Sequence, residues 1–150
     1  MPHTDRTTVL AQYMLGQINT NKVALGLNQV LYGEQNEIPP GISAVVMCGR
    51  KDRKLDRVAF PGAGTMNSMV IMITIYNNTI GDEATKSLQT DQIAETVEHF
   101  LHQDTTMGGN IFHGFVDSWD PGFRYRSGSM WRATQLTFVG RSKTNLTDIP

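Results

Sequence analysis

The chain has 150 residues, with 13 Lys and Arg against 14 Asp and Glu and a formal charge of −1. This length predicts one domain that buries roughly 70% of its unfolded surface, and the charge argues against a free basic nucleic-acid binder. The single cysteine, Cys48, excludes an intramolecular disulfide and a Cys-based zinc site. Only 18% of the residues are charged, against about 25% in typical soluble proteins, and this favours a subunit that packs against copies of itself.

No membrane or secretion signal is expected. The N-terminal residues 1–6 are polar and lack the apolar core of a signal peptide. The longest apolar stretch, residues 69–73, is far shorter than the roughly 20 residues that span a bilayer. We therefore expect a protein of a reducing interior that does not contact a membrane.

The first predicted element is an amphipathic helix over residues 7–19, capped by Thr7 or Thr8. The following run, residues 25–32, is ambiguous between a short strand and irregular chain. The prolines in residues 38–41 then predict stiff, extended chain. The apolar residues that define the helical stripe are Val9, Leu10, Tyr13, Met14 and Ile18.

Two strands are predicted next, over residues 42–49 and 66–76. Between them, residues 50–57 are predicted to be a charged loop with five basic and two acidic residues, and residues 61–64 a turn. The second strand has apolar residues at both even-numbered and odd-numbered positions, which lie on opposite faces of a sheet. This pattern predicts burial on both faces, or on one face by a neighbouring subunit. The even-numbered positions hold Val70, Met72 and Thr74, and the odd-numbered positions hold Met69, Ile71, Ile73 and Ile75.

The second half of the chain predicts a long helix over residues 82–103, with Asp91 or Thr90 as N-cap of its second part. Strands over residues 111–119 and 130–140 follow, joined by a loop that begins at residues 120–122. The polar tail, about residues 141–150, is expected to fray. The pattern predicts a single α+β domain, residues 1–150, with a mainly antiparallel sheet and helices packed on one side.

Residues capable of chemistry are scattered. His99 and His102, three residues apart on the long helix, could share a metal with His113, but they match no established ligand pattern and are predicted to be structural. Cys48 lies in an apolar strand and is predicted to be a small buried hydrophobe. Asp117 pairs with no second carboxylate in the sequence. We expect no catalytic, cofactor-binding or metal-binding residues, and therefore no enzyme.

A glycine-containing turn and the basic loop each have a functional and a structural interpretation. Residues 62–65 resemble a phosphate-binding turn but lack its lysine and its following helix, so a tight turn is favoured. The basic loop is either a solvated hairpin tip that protects a sheet edge or a contact site for DNA or an acidic partner. The predicted partner interface is Arg50, Lys51, Arg53, Lys54 and Arg57, and the predicted subunit interface is Met69, Ile71, Ile73 and Ile75.

The order of elements and several short motifs resemble the tail terminator and tail completion proteins of tailed bacteriophages. The motifs lie in residues 31–35 and 38–40, at Phe100-Leu101, at Pro121-Gly122, at Arg126-x-Gly128, and in the ending Trp131-Arg132-Ala133 through residues 136–142. The resemblance covers most of the chain. It implies a small α+β subunit that forms a six-membered ring at the top of the tail tube, and it carries no catalytic residues.

The resemblance also implies partners and a location. The ring would contact the tail tube protein, the head-tail connector or stopper protein and, in contractile tails, a sheath protein, with DNA only as passing cargo. It would assemble in the host cytoplasm and remain in the virion. Two alternatives stay open: another phage neck component such as a head-closure or stopper protein, and a small enzyme or ligand-binding domain with a dispersed site.

Overall fold

The computed structural model describes residues 6–35, 37–55, 64–111, 113–126 and 129–145. They form one α+β domain in which three helices pack on a five-stranded mixed sheet with the order β1-β2-β3-β5-β4. The predicted fold class is confirmed. The elements are α1 (Arg6–Thr20), α2 (Lys22–Leu25), β1 (Gln29–Tyr32), β2 (Gly41–Leu55), β3 (Gly64–Asn78), α3 (Glu83–His102), β4 (His113–Arg126) and β5 (Ser129–Asn145).

The helix starts differ from the predicted ones. Thr7 lies inside α1 and is buried, so it does not cap this helix. The long helix α3 is continuous, and its N-cap is Asp82, whose side chain accepts a hydrogen bond from the Thr85 amide at 3.0 Å. Thr90 is therefore an interior residue of α3, and Asp91 accepts a hydrogen bond from Thr134 of β5 at 3.0 Å. The ambiguous run 25–32 contains the end of α2 and the short strand β1.

One face of the sheet packs against all three helices. The strands pair antiparallel, except that β1 pairs parallel to β2. Antiparallel partners share a face, so the helix-facing positions follow from the register. They include Ala44 and Val46 of β2, Met69 to Ile75 at odd positions of β3, and Leu136 and Phe138 of β5.

Two predicted loops are strands. Residues 50–55, predicted as part of a charged loop, continue β2 and pair with β3 after an irregularity between Cys48 and Lys51. Residues 120–122, predicted as a connection, continue β4, where Pro121 lies opposite Thr134. Proline is tolerated there because β4 is an edge strand, and one side of its backbone needs no ladder donor. Residues 141–145 of the predicted polar tail extend β5.

Candidate functional site

The predicted subunit interface lies inside the subunit. Met69 is 2% exposed, and Ile71, Ile73 and Ile75 are fully buried against the helices. Such side chains cannot contact a neighbouring subunit without unfolding the core. The predicted role of these four residues is therefore corrected: they belong to the core of the single domain.

The opposite face of the sheet, which we call the helix-free face, is only partly covered. Within the described residues, its cover is the segment around Ile38, whose carbonyl accepts a hydrogen bond from the Asn78 side chain at 2.9 Å. Phe115 on this face is 43% exposed. The half-buried apolar side chains on the same face are Met47, Val70, Met72 and Val139.

Three strands extend beyond the described core cluster at one end of the sheet. The helix α3 begins at the opposite end. The last paired positions that include a residue of the described core cluster are Cys48 with Ile71 and Met69 with Gly140. The strands β2, β3 and β5 continue beyond them to Leu55, Gly64 and Asn145. We call residues 50–55, 64–68 and 141–145 the basic extension. It holds six of the 13 Lys and Arg residues of the chain and one of the 14 Asp and Glu residues.

The predicted partner residues lie largely in this extension. Arg50, Lys51, Arg53 and Lys54 are in β2 rather than in a loop, and Arg57 lies outside the described residues. Arg141 and Lys143 of β5 add to the same end of the sheet, and sequence reasoning did not group them with the others. The register supplies that grouping, because Arg141 lies opposite Ser68 and Lys143 opposite Met66.

The opposite flank of the sheet is acidic. No Lys or Arg occurs in residues 87–123, which contain six Asp and Glu. This stretch includes most of α3 and of its neighbour β4. We call Asp91, Glu95, Glu98 and Asp117 the acidic flank.

His102, one of the predicted structural histidines, has a backbone partner. His102 accepts a hydrogen bond at Nε2 from the Val116 amide at 2.9 Å, so this helix end is fixed to β4 beside its irregularity at Asp117. That nitrogen is occupied by a backbone donor. Among the described residues, no three His, Cys, Asp or Glu side chains cluster as metal ligands.

Cys48 and Asp104 are also held in local contacts. The sulfur of Cys48 lies 3.6 Å from the Tyr32 hydroxyl, and this hydrogen bond raises the pKa of Tyr32 above its usual range. Asp104 accepts hydrogen bonds from Tyr13 and from the Gly108 amide, each at 3.0 Å. Of the predicted phosphate-like turn, residues 62 and 63 lie outside the described residues, and Gly64 and Thr65 begin β3.

An open cleft of about 140 Å³ lies between α1 and the end of α3. This volume is below the roughly 300–1,000 Å³ of usual small-molecule sites. The cleft is mainly apolar, and Asp104, its one carboxylate, is engaged as described. Its lining residues are Gln17, Phe100, Leu101, Gln103, Asp104 and Met107.

Comparison of the sequence with protein-family models and with curated proteins finds no match. In the described ranges, no helix is long and apolar enough to cross a membrane. The candidate functional features are therefore the three surfaces defined above: the helix-free face, the basic extension and the acidic flank.

Proposed function

We propose that this chain is a structural virion protein of a tailed bacteriophage, a tail terminator that forms a ring on the tail tube. The ring ends tube growth and joins the tail to the head connector. Two lines of support are independent of each other. One is the resemblance in element order and short motifs, and the other is the surface of the domain.

The basic extension is the observation that carries the proposal. The strands β2, β3 and β5 have 15, 15 and 17 residues, whereas strands usually have about five or six. The outer part of each strand continues the ladder beyond the last residues of the described core cluster. A long, charged continuation of this kind is suited to contact with another molecule.

The surface also fits an assembly better than catalysis. The helix-free face presents half-buried apolar side chains and Phe115, which a neighbouring protein could cover. It consists of other residues than the basic extension, which adjoins it on the same sheet face at Ser68 and Arg141. In the proposed ring the neighbours of a subunit are other copies of the chain, the tail tube protein and the head connector or stopper.

The location of the protein tests this function. Immunogold labelling or particle reconstruction of purified phage is expected to place a ring of this chain at the head-proximal end of the tail tube. Phage that lack the protein are expected to form tubes of excess and variable length, because nothing stops tube growth.

Two other outcomes would replace the proposal. Tubes of normal length on particles that fail to join heads or lose DNA would indicate a head-closure or stopper protein. A protein absent from the virion would contradict every neck role, and would return attention to a dispersed ligand-binding or enzymatic site.

A further inference from the structure

We propose that the basic extension of one copy binds the acidic flank of a second copy, so that subunits associate side by side. The inference rests on the proposed function as a ring subunit and deepens it, because it names the two surfaces that form the subunit interface. The partner of the basic residues is then the chain itself.

The sheet order separates the two surfaces. β2, which carries four of the basic residues, and β4, which borders the acidic flank, are on opposite sides of β3 and β5. In the described residues β1 covers β2 only from Ser43 to Val46, so beyond Met47 the outer side of β2 has no described partner strand. A neighbour can approach β2 from this side.

In the part of the chain that the structure describes, no lysine or arginine forms a salt bridge with a carboxylate of the flank. Glu98 accepts a hydrogen bond from the indole nitrogen of Trp119 at 2.8 Å, and Asp91 accepts one from the Thr134 hydroxyl at 3.0 Å. Both donors are neutral, so neither bond pairs the carboxylate with a cation. Glu95 and Asp117 are exposed.

An apolar side chain lies beside these carboxylates. Leu88, Asp91 and Glu95 are at positions i, i+3 and i+7 of α3 and therefore share one face of the helix. Leu88 is 60% exposed. A partner that covers this face would gain apolar burial together with charge pairing, and the aliphatic stems of lysine and arginine suit such a mixed surface.

The two surfaces are different, so their contact is heterologous. Repetition of a heterologous contact gives a closed ring or an open filament, according to the rotation between neighbours. Copies that point the same way place the β2 side of one next to the β4 side of the next. Asp91 lies at the level of Thr134 and the extension begins beyond Gly140, so contact of the extension with the α3 surface requires strands inclined to the line that joins neighbouring copies. The charge attraction favours this order over the contact of two like surfaces.

A charge exchange tests the pairing. The extension variant carries Lys51→Glu and Lys54→Glu. The flank variant carries Glu95→Lys and Asp117→Lys, and the native side chains at these two positions are exposed. At low ionic strength, where screening is weak, the wild type is expected to self-associate. Each variant alone is expected to sediment as the 16.7 kDa monomer, and an equimolar mixture is expected to assemble again. A chain with all four changes is also expected to assemble.

The control variant, Lys22→Glu with Glu37→Lys, reverses one positive and one negative charge at positions outside both surfaces. It is expected to assemble like the wild type. Circular dichroism at each composition checks that the variants are folded. Variants that assemble alone like the wild type, or a mixture of folded variants that stays monomeric, would overturn this pairing. A wild type that stays monomeric at low salt would also overturn it, whereas the proposed function would still be decided by the location of the protein on the tail.

Discussion

The hydroxyl of Tyr13 in α1 donates a hydrogen bond to Oδ2 of Asp104, 91 residues later, at 3.0 Å. The same oxygen of Asp104 accepts from the Gly108 amide, so one carboxylate fixes both the helix α1 and the turn after α3. Gly108 has a φ of +66°, and a Cβ there would lie 2.7 Å from the Tyr13 oxygen. The turn therefore closes on Tyr13 only with glycine at this position.

Replacement of Tyr13 by Phe is expected to lower the free energy of unfolding by about 1–2 kcal/mol, since the bond to a charged acceptor is lost while the ring remains. Urea unfolding at neutral pH measures this difference. Tyr125→Phe, a change of the same type in β4, provides the control for loss of a hydroxyl. An unfolding free energy of Tyr13→Phe equal to that of the wild type would show that the bond adds nothing to stability.

The same pair predicts a loss of stability in alkali. The hydrogen bond to Asp104, with smaller contributions from burial and from the charge of that carboxylate, raises the pKa of Tyr13 above its ordinary value of 10.0. A raised pKa in the folded state adds stability below pH 10, and this contribution is lost as the pH rises through the folded value. The stability difference between the wild type and Tyr13→Phe is thus expected to shrink above pH 10. A constant difference would contradict the assigned contact.

A tight contact between β4 and β5 predicts a strong effect of one methyl group. Gly114 lies opposite Gly140, and a Cβ on Gly114 would lie 2.4 Å from the ring of Phe138 and 2.7 Å from Ile111. Gly114→Ala is expected to destabilise the fold by about 1–3 kcal/mol because the buried ring must move. Thermal unfolding measures the change.

The matched control for that change is Gly16→Ala in α1. A Cβ on Gly16 would meet nothing within 4 Å, and alanine favours the helix over glycine by about 0.5–1 kcal/mol. The same substitution is therefore expected to stabilise at residue 16 and to destabilise at residue 114. Equal effects at both positions would show that the contact with Phe138 relaxes at no cost.

The N-cap of α3 predicts an acid-sensitive contribution to stability. Hydrogen bonds from the Thr85 amide and hydroxyl lower the pKa of Asp82 below its ordinary value of 3.8. A lowered pKa in the folded state adds stability above pH 3.8, and this is lost as the pH falls through the folded value. Asp82→Ala is expected to lower Tm at pH 7, and the difference from the wild type is expected to narrow in acid.

Asp82→Asn separates the cap from the charge. Its side-chain oxygen can still accept from the Thr85 amide, and it does not titrate. We expect Asp82→Asn to retain most of the Tm at pH 7 and to show a weaker dependence on acid than the wild type. If Asp82→Asn were as unstable as Asp82→Ala at pH 7, the charge rather than the cap bond would dominate.

The periodic helices and the fold class could be predicted from the sequence because burial imposes the helical period on their residues. The side of β3 that packs against the helices could not be predicted from the sequence. Apolar residues occur at both odd-numbered and even-numbered positions of β3. The pattern therefore gave no preference between the odd-numbered set from Met69 to Ile75 and the even-numbered set of Val70 and Met72. Only the tertiary packing of α1 and α3 decides which set is core.

The limits of β2 and β4 were missed for a related reason. Residues 50–55 pair with β3 through the backbone, which leaves no pattern in the side chains, and their charges suggested a loop. Pro121 and Gly122 suggested a turn because the edge position of β4 is a property of the whole sheet. The acidic flank did have a sequence signal, the absence of Lys and Arg from residues 87–123, but its meaning depends on the distance between β2 and β4 in the sheet order.

The proposed role in joining a tail to its partner can be tested at the basic residues. Reversal of Arg50, Lys51, Arg53 and Arg57 to Glu is expected to slow or block joining, since the proposed contact of the basic extension with the acidic flank of a second copy builds the ring that joins. Complementary charges set register and association rate more than affinity, so high salt is expected to have a similar effect on the wild type.

Protein contact is favoured over DNA contact for these residues because a conduit must let DNA slide, and arginines held on phosphates would add salt-dependent drag. In-vitro joining of tails to heads measures the rate, and the Lys22→Glu variant controls for loss of one positive charge elsewhere. DNA that bound the wild-type ring with a steep salt dependence would favour the conduit instead. Normal joining by the reversed protein at low salt would leave the basic residues as protection of an exposed sheet edge, the simpler of the two roles that the sequence allows.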